Sequence, residues 1–324
     1  MDLLIVEPLD PEVLDWLSMR HAVTYAPHLA HDPHEFRLSL GRVRGLVLPP
    51  SVAVDRAVLR VAPRLLTVGR LSAGSENLDL EACARSGIEV VRPATASANA
   101  EAEFSIGALL QMLRRVPVIN AEGLAVGREV GGSVIGIVGM TPAARPLATL
   151  LDTFGARVIG YDPAVHGNDG LWDRWGIEPV PLRQLMEQSD GVCVLLTYYS
   201  RYHGLLGQRY LSECKPNQVL VSLAPSGLFD ESALAHALAT RRMAAAWFDS
   251  MEPGTTGPGR PLSGIDNLQV TPCVASTTRE SRIRSAWAVA QRIDEILQAR
   301  AAQSDFRSTT PGVLAGLEGG PAPA

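Results

Sequence analysis

Apolar residues in the first hundred positions come in short runs separated by stretches with a helical period. The runs LLIV from Leu3, GLVLP from Gly45, RLLTVG from Arg64 and IEVV from Ile88 have the length of buried strands. Between them PEVLDWLSMR, AVDRAVLRV and LEACARSG place apolar residues three and four apart, as helices with one buried face do. Strands alternating with helices at this spacing predict an open parallel sheet. A helix-compatible segment follows, from about Ala98 through AEFSIGALLQMLRRVPVI. The pattern then restarts with SVIGIVGM as a strand, TPAARPLATLLDTFG as a helix and ARVIGYD as a second strand, and further units follow at GVCVLLT, QVLVSLA and MAAAWFD. The predicted fold class is α/β, with two doubly wound parallel-sheet domains. The expected boundaries are residues 1–97 plus 276–300 for one domain and 98–275 for the other. The stretch TTRESRIRSAWAVAQRIDEILQA keeps a continuous helical period and is expected to return to the first domain. Residues 301–324, rich in Gly, Pro, Ala and Ser, have too little periodicity to fold alone and predict a disordered tail.

Composition narrows the function classes. The 324 residues are 46% hydrophobic, enough for two cores, yet no apolar run reaches the roughly 18 residues of a membrane span. The start MDLLIVEPLDPE is unlike a secretory signal, so a cytoplasmic protein without a membrane partner is expected. A net charge of -5 with no basic cluster offers nucleic acid no footprint, which leaves a small-molecule ligand as the expected partner. Cys83, Cys193, Cys214 and Cys273 lack paired spacing, so free thiols are expected and no metal site. Lys215 is the only lysine and sits in the turn-like ECKPNQ, which argues against Schiff-base chemistry.

The motifs RLSAGSENLDL, GIEVVRPATASANAEAE, VIGYDP, LFDESALAHAL, FDSMEP and LQVTPCVASTT occur in that order over almost the whole chain. In that order the chain resembles the D-isomer-specific 2-hydroxyacid dehydrogenases, which include phosphoglycerate and formate dehydrogenases. The resemblance implies a flavodoxin-like substrate domain, a Rossmann NAD-type domain inserted into it, and a site in the cleft between them. It also implies a homodimer formed through the region of roughly residues 98–127.

The chain departs from that family where the chemistry lies. The family binds its cofactor on a G-x-G-x-x-G turn; here the turn reads Gly139-Met140-Thr141-Pro142-Ala143-Ala144. Thr141 puts a branched side chain where a phosphate would sit, and Pro142 removes a backbone N–H. The same two residues also read as a self-contained helix start, with Thr141 as N-cap and Pro142 in the first helical position. Asp162 lies about 20 residues beyond Thr141, the spacing of an acid that holds an adenosine ribose, which points to NAD and not NADP. As an ordinary strand-end aspartate it leaves open a chain that binds no dinucleotide. In the family an arginine in N-x-A-R-G holds the substrate and a histidine after T-P transfers the proton. Here Pro225 and Cys273 stand in those places. Proline has neither charge nor donor, and a thiol with an ordinary pKa near 8.5 does not supply an imidazolium. Leu195 and Thr197 also replace the histidine and proline usual after the next strand.

The remaining candidates each carry two readings. Cys273 is a nucleophile or acid, or a small buried residue. Glu252 matches the glutamate that the family pairs with its histidine, and is either a general acid or base or a solvated remnant. Tyr199, with Tyr202 and His203 in the aromatic loop 197–203, contacts a ligand or packs on its own helix. Ala73, Gly74 and Ser75 form a small-residue turn suited to a carboxylate, with Arg70 and Arg92 adding charge. Asp249 matches the family's aspartate facing the nicotinamide amide, or ends a strand. These residues predict a repurposed enzyme acting on a small carboxylate-bearing molecule, with NAD(H) binding weakened or absent and ordinary 2-hydroxyacid oxidation lost. The rival is a non-catalytic pseudoenzyme that binds a partner.

Overall fold

The structure, a computed structural model, describes residues 2–72, 74, 77–93, 95–115, 118–119, 121–252 and 254–308. The chain divides into two compact units, one of residues up to Pro93 together with those from Ile283, the other of Ala94–Arg282.

In the first unit β1 (Leu3–Ile5), β2 (Val23–Tyr25), β3 (Gly45–Val47), β4 (Thr67–Gly69) and β5 (Glu89–Val91) form a parallel sheet in the order β2-β1-β3-β4-β5. Between them lie α1 (Pro11–Ser18), α2 (Pro33–Ser39), α3 (Arg56–Val61) and α4 (Leu80–Arg85). Each of these helices starts where an aspartate supplies an N-cap. The carboxylates of Asp10, Asp32, Asp55 and Asp79 accept first-turn N–H groups, and Pro11 and Pro33 follow directly where no N–H is needed. Strands β1, β3 and β4 are buried throughout, because helices cover both faces of the sheet.

The second unit opens with α5 (Ala98–Arg115) and an antiparallel hairpin of β6 (Val118–Ile119) and β7 (Ala125–Val126). Then follow β8 (Val134–Val138), α6 (Ala144–Thr153), β9 (Arg157–Tyr161), α7 (Leu171–Trp175), β10 (Glu178–Pro179), α8 (Leu182–Gln188), β11 (Gly191–Val194), α9 (Gln208–Leu211), β12 (Gln218–Ser222), α10 (Glu231–Ala239), β13 (Met243–Phe248) and β14 (Leu268–Val270). Seven of the strands form a parallel sheet in the order β10-β9-β8-β11-β12-β13-β14, with an apolar core on each face. The two strand orders are those of flavodoxin-like and dinucleotide-type doubly wound sheets, so the expected fold class holds.

The predicted helix from Ala98 stops at Arg115, and Val118–Ile119 forms a strand instead. Pro117 in the sequence explains the break, since proline disfavours helix in the residue before it and removes an N–H. The edge strands β2 and β10 escaped the pattern reading. They span three and two residues and are partly exposed, so no run of apolar residues marks them.

The last helix, α11 (Arg279–Ser308), supplies the apolar cover for one face of the first sheet through Val289, Ile293 and Leu297. Its seat is made of two glycines. A Cβ at Gly69 would lie 2.6 Å from Val289 Cγ1 and 2.8 Å from Ile293 Cδ1, and one at Gly45 would lie 3.5 Å from both Ile293 and Leu297. Trp287 meets Trp16 of α1 edge-on at 5.6 Å, and Asp294 bonds His21 at 2.7 Å. The backbone is helical to Ser308; the rest of the expected tail, 309–324, lies outside the described residues. Ile293 is fully buried, so Ile293→Ala is expected to lower stability by about 2–5 kcal/mol, measured as a shift in the chemical denaturation midpoint.

Candidate functional site

Because the seven strands run parallel, their carboxyl ends share one edge. The segments leaving that edge carry most of the residues singled out above: 139–143 after β8, Asp162 after β9, 195–203 after β11, 223–227 after β12, 249–252 after β13 and 271–275 after β14. Strand order reverses at β8, between β9 and β11, which is where sheets of this kind bind ligands.

Gly139 has φ +106°, and a Cβ there would lie 2.5 Å from Leu196 N and Cα, so only glycine fits between the two strand ends. Helix α6 begins at Ala144. Its N-cap is Ala143, which has no side-chain oxygen to offer. The reading of Thr141 as N-cap is therefore corrected: the helix starts too late for the Thr141 hydroxyl to reach its first-turn amides. That hydroxyl oxygen is buried and without a hydrogen-bond partner among the described residues. Pro142 is exposed and Ala143 buried. Asp162 closes the turn from the other side, accepting the Met140 N–H through one carboxylate oxygen and the Ala164 N–H through the other, both at 2.7 Å. Each oxygen keeps lone-pair capacity for a further donor. An uncapped helix start, an unpartnered hydroxyl and an adjacent carboxylate together fit the pyrophosphate and ribose of a dinucleotide.

Asp249 is 2% exposed and does more than end a strand. Its carboxylate accepts Thr271 Oγ1–H at 2.6 Å, Val274 N–H at 3.0 Å and Ala275 N–H at 2.8 Å, while its carbonyl accepts Cys273 N–H at 2.7 Å. These bonds hold Cys273 at φ +55°, a left-handed conformation that a non-glycine residue adopts at a cost. The reading of Cys273 as a buried residue is corrected: its side chain is exposed, with Sγ 3.8 Å from Ser250 Oγ. The other three thiols are buried, and burial pushes Cys193 and Cys214 up to about 12.

Glu252 is exposed but not partnerless, because it accepts a hydrogen bond from Ser226 Oγ. Ser226 is 4% exposed and directly follows Pro225, so the loop after β12 is tied to the glutamate by a hydroxyl. No hydrogen bond joins Glu252 to Cys273 among the described residues. In the aromatic loop Tyr199 is 53% exposed and meets Tyr202 edge-on at 5.9 Å. The Arg201 guanidinium lies 4.9 Å from the Tyr199 ring and 4.7 Å from that of Tyr202. His203 Nδ1 is 3.3 Å from the Tyr198 hydroxyl. In the first unit, Gly74 is half-buried, and Ala73 and Ser75 lie outside the described residues. Buried Arg70 donates to Ser72 Oγ and Asn77 Oδ1, which places its charge inside the loop's own framework.

Sequence reasoning missed Ser226 and Glu101. Glu101 lies on the first turn of α5 and accepts Ser97 Oγ–H at 2.7 Å. Its pKa is raised, chiefly by burial and further by the Asp249 charge, although the Ser97 hydrogen bond opposes the shift. A signal was present: Ala98, Ser105, Ala108 and Met112 form the buried seam of α5, and position 101 falls on that seam.

The sequence profile of the D-isomer specific 2-hydroxyacid dehydrogenase NAD binding domain matches residues 107–275. Over 309 residues the chain is 30% identical to an (S)-sulfolactate dehydrogenase of Chromohalobacter salexigens, covering 93% of this chain and 99% of that protein. It is 31% identical over 258 residues to a D-3-phosphoglycerate dehydrogenase of Mycobacterium bovis, of which it spans 48%. The backbone is similar to that of a D-lactate dehydrogenase from Aquifex aeolicus complexed with NAD and lactic acid, with TM-score 0.73, 19% identity, and 94% and 98% of the two chains covered. Profile and relatives agree with one another, and the chain belongs to the D-isomer specific 2-hydroxyacid dehydrogenase family.

Proposed function

We propose that this chain binds NAD(H) at the β8–α6 turn and acts on a small carboxylate-bearing 2-oxo or 2-hydroxy compound through an acid–base set different from the family's. The observation that carries the reading is the turn itself: glycine is required at 139, the helix start lacks a side-chain cap, and the Thr141 hydroxyl is buried without a partner. In this reading Thr141 Oγ and the amides of Thr141 and Ala143 face the pyrophosphate. Pro142 contributes no N–H, so binding is weaker than on a three-glycine turn. The Asp162 carboxylate takes a ribose hydroxyl and repels a 2′-phosphate, favouring NAD over NADP. The nicotinamide, when bound, supplies or accepts a hydride. The substrate class follows the named relatives, since sulfolactate, lactate and 3-phosphoglycerate each carry a carboxylate beside a hydroxylated carbon.

Ordinary 2-hydroxyacid oxidation is lost in this reading because Pro225 and Cys273 occupy the arginine and histidine positions. Removal of a transition-state charge contact or of a positioned proton-transfer group each slows an enzyme by factors of about 100 or more. Asp249 fixes the 271–275 loop and so positions Cys273. Glu252 accepts the Ser226 hydrogen, which holds its carboxyl group beside the loop that follows β12. Exposed Leu110 and Ile119 support the expected homodimer through residues 98–127.

Melting-temperature titrations with NAD+, NADH and NADPH test the reading first. A ligand at 100 times its Kd stabilises by about 2.7 kcal/mol, so a clear rise with NADH and a smaller one with NADPH is expected. No rise at millimolar NADH would leave the partner-binding pseudoenzyme standing. Thr141→Val is expected to weaken NADH binding by about 1 kcal/mol, the worth of one hydrogen bond, without lowering the melting temperature of the ligand-free protein. A thiol-reactive dye should find one fast thiol per folded chain among these cysteines, lost in Cys273→Ser; fast labelling that persists in that variant contradicts the assigned exposure.

A further inference from the structure

The proposed chemistry needs a proton donor for a ligand oxygen, and the family's donor position holds a cysteine. Asp249 spends its carboxylate oxygens on Thr271, Val274 and Ala275, and Glu252 is an acceptor for Ser226. A third carboxyl remains at the same end of the sheet. Glu101 is on the first turn of α5, one turn before Phe104, whose ring meets Trp247 edge-on at 5.4 Å. Trp247 Nε1–H donates to Thr271 Oγ1 at 3.2 Å, and Thr271 donates in turn to Asp249. This chain of contacts sets the start of α5 against the carboxyl ends of β13 and β14, beside the loop that carries Cys273.

We infer that Glu101, held by Ser97 at the carboxyl ends of β13 and β14, is the proton-transferring group for a 2-oxo ligand bound at that edge. The inference rests on the function proposed above. Two properties suit the side chain to this work. It is half-buried rather than sealed, so a ligand can reach it. Burial and the like charge of Asp249, the one charged group acting on it, both favour its neutral form, and a carboxylic acid that keeps its proton closer to neutral pH is a better acid there than an ordinary glutamate. In the assigned step the Glu101 O–H bond breaks as an O–H bond forms on the ligand carbonyl oxygen. The electron pair stays on Glu101 as a carboxylate, and solvent returns the proton. The accompanying hydride to carbon belongs to the reduced nicotinamide of the proposed function and is no part of the step assigned to Glu101.

Full-length wild type, Glu101→Gln and Glu101→Asp test this in two measurements. The first needs no ligand. Because the folded-state pKa of Glu101 is raised, its charged form is penalised by folding. Wild-type stability should therefore fall, relative to Glu101→Gln, as pH rises from the ordinary glutamate value of about 4.3 through the raised one, and the gap should then level off. The second is NADH-dependent reduction of glyoxylate, pyruvate and 3-sulfopyruvate across the same pH range. Glu101→Gln should lower kcat about 100-fold or more with NADH stabilisation unchanged, wild type but not Glu101→Gln should lose activity as pH rises through the raised pKa, and Glu101→Asp should recover part of the rate. A Glu101→Gln variant with wild-type rate and pH profile overturns the inference and leaves the proposed function intact. A wild type that binds NADH but reduces none of the three also overturns it, since no ligand oxygen then takes the proton. A wild type unaffected by NADH overturns the proposed function and this inference together.

Discussion

The carboxyl edge of the seven-stranded sheet is organised by one buried carboxylate. Asp249 leaves β13 and accepts hydrogen bonds from both sides of the turn that follows β14. A carboxylate buried to 2% exposure is costly unless its lone pairs are used, and here two backbone amides and a hydroxyl use them. That requirement fixes the turn, and the turn fixes Cys273 in a left-handed conformation with its thiol outward. The same charge bears on Glu101 across the start of α5. Two residues far apart in sequence, Glu101 on a helix and Cys273 on a loop, thus depend on the one carboxylate of Asp249.

The other fixed point is steric. Gly139 sits where any Cβ would enter the Leu196 backbone, so the β8 turn can come close to the chain leaving β11. A turn that lost its second glycine has kept the first because the sheet itself demands it. The sheet imposes no such limit on the next residues of the turn, where Pro142 is exposed and the Thr141 hydroxyl is buried without a partner among the described residues.

Much of the fold was legible because parallel strands covered on both faces are continuous apolar runs, and LLIV, SVIGIVGM and QVLVSLA all became buried strands. Short edge strands were not, since β2 and β10 bury too little to leave a pattern. The candidate site was legible in outline, because residues that follow strand ends in a parallel sheet must gather at one edge. Partnerships were not. Nothing in the spacing of Ser226 and Glu252 announces their hydrogen bond, which joins loops from adjacent strands. Thr141 looked like an N-cap by composition, but the helix starts at Ala144, and a cap hydroxyl works only within reach of the first-turn amides.

The substitutions at the site share a physical direction. Under the proposed reading, Pro225 and Cys273 stand where the family has a guanidinium and an imidazole, and the carboxyl edge would carry less positive charge for it. The Asp249 charge also bears on Glu101, where a like charge disfavours ionisation. In that reading a substrate carboxylate would be held less firmly than by an arginine. Burial and the Asp249 charge raise the pKa of Glu101 at that edge, although its hydrogen bond from Ser97 opposes the shift. In that reading the aromatic loop would share in holding the ligand, since its Arg201 lies against the rings of Tyr199 and Tyr202 in the segment that follows β11.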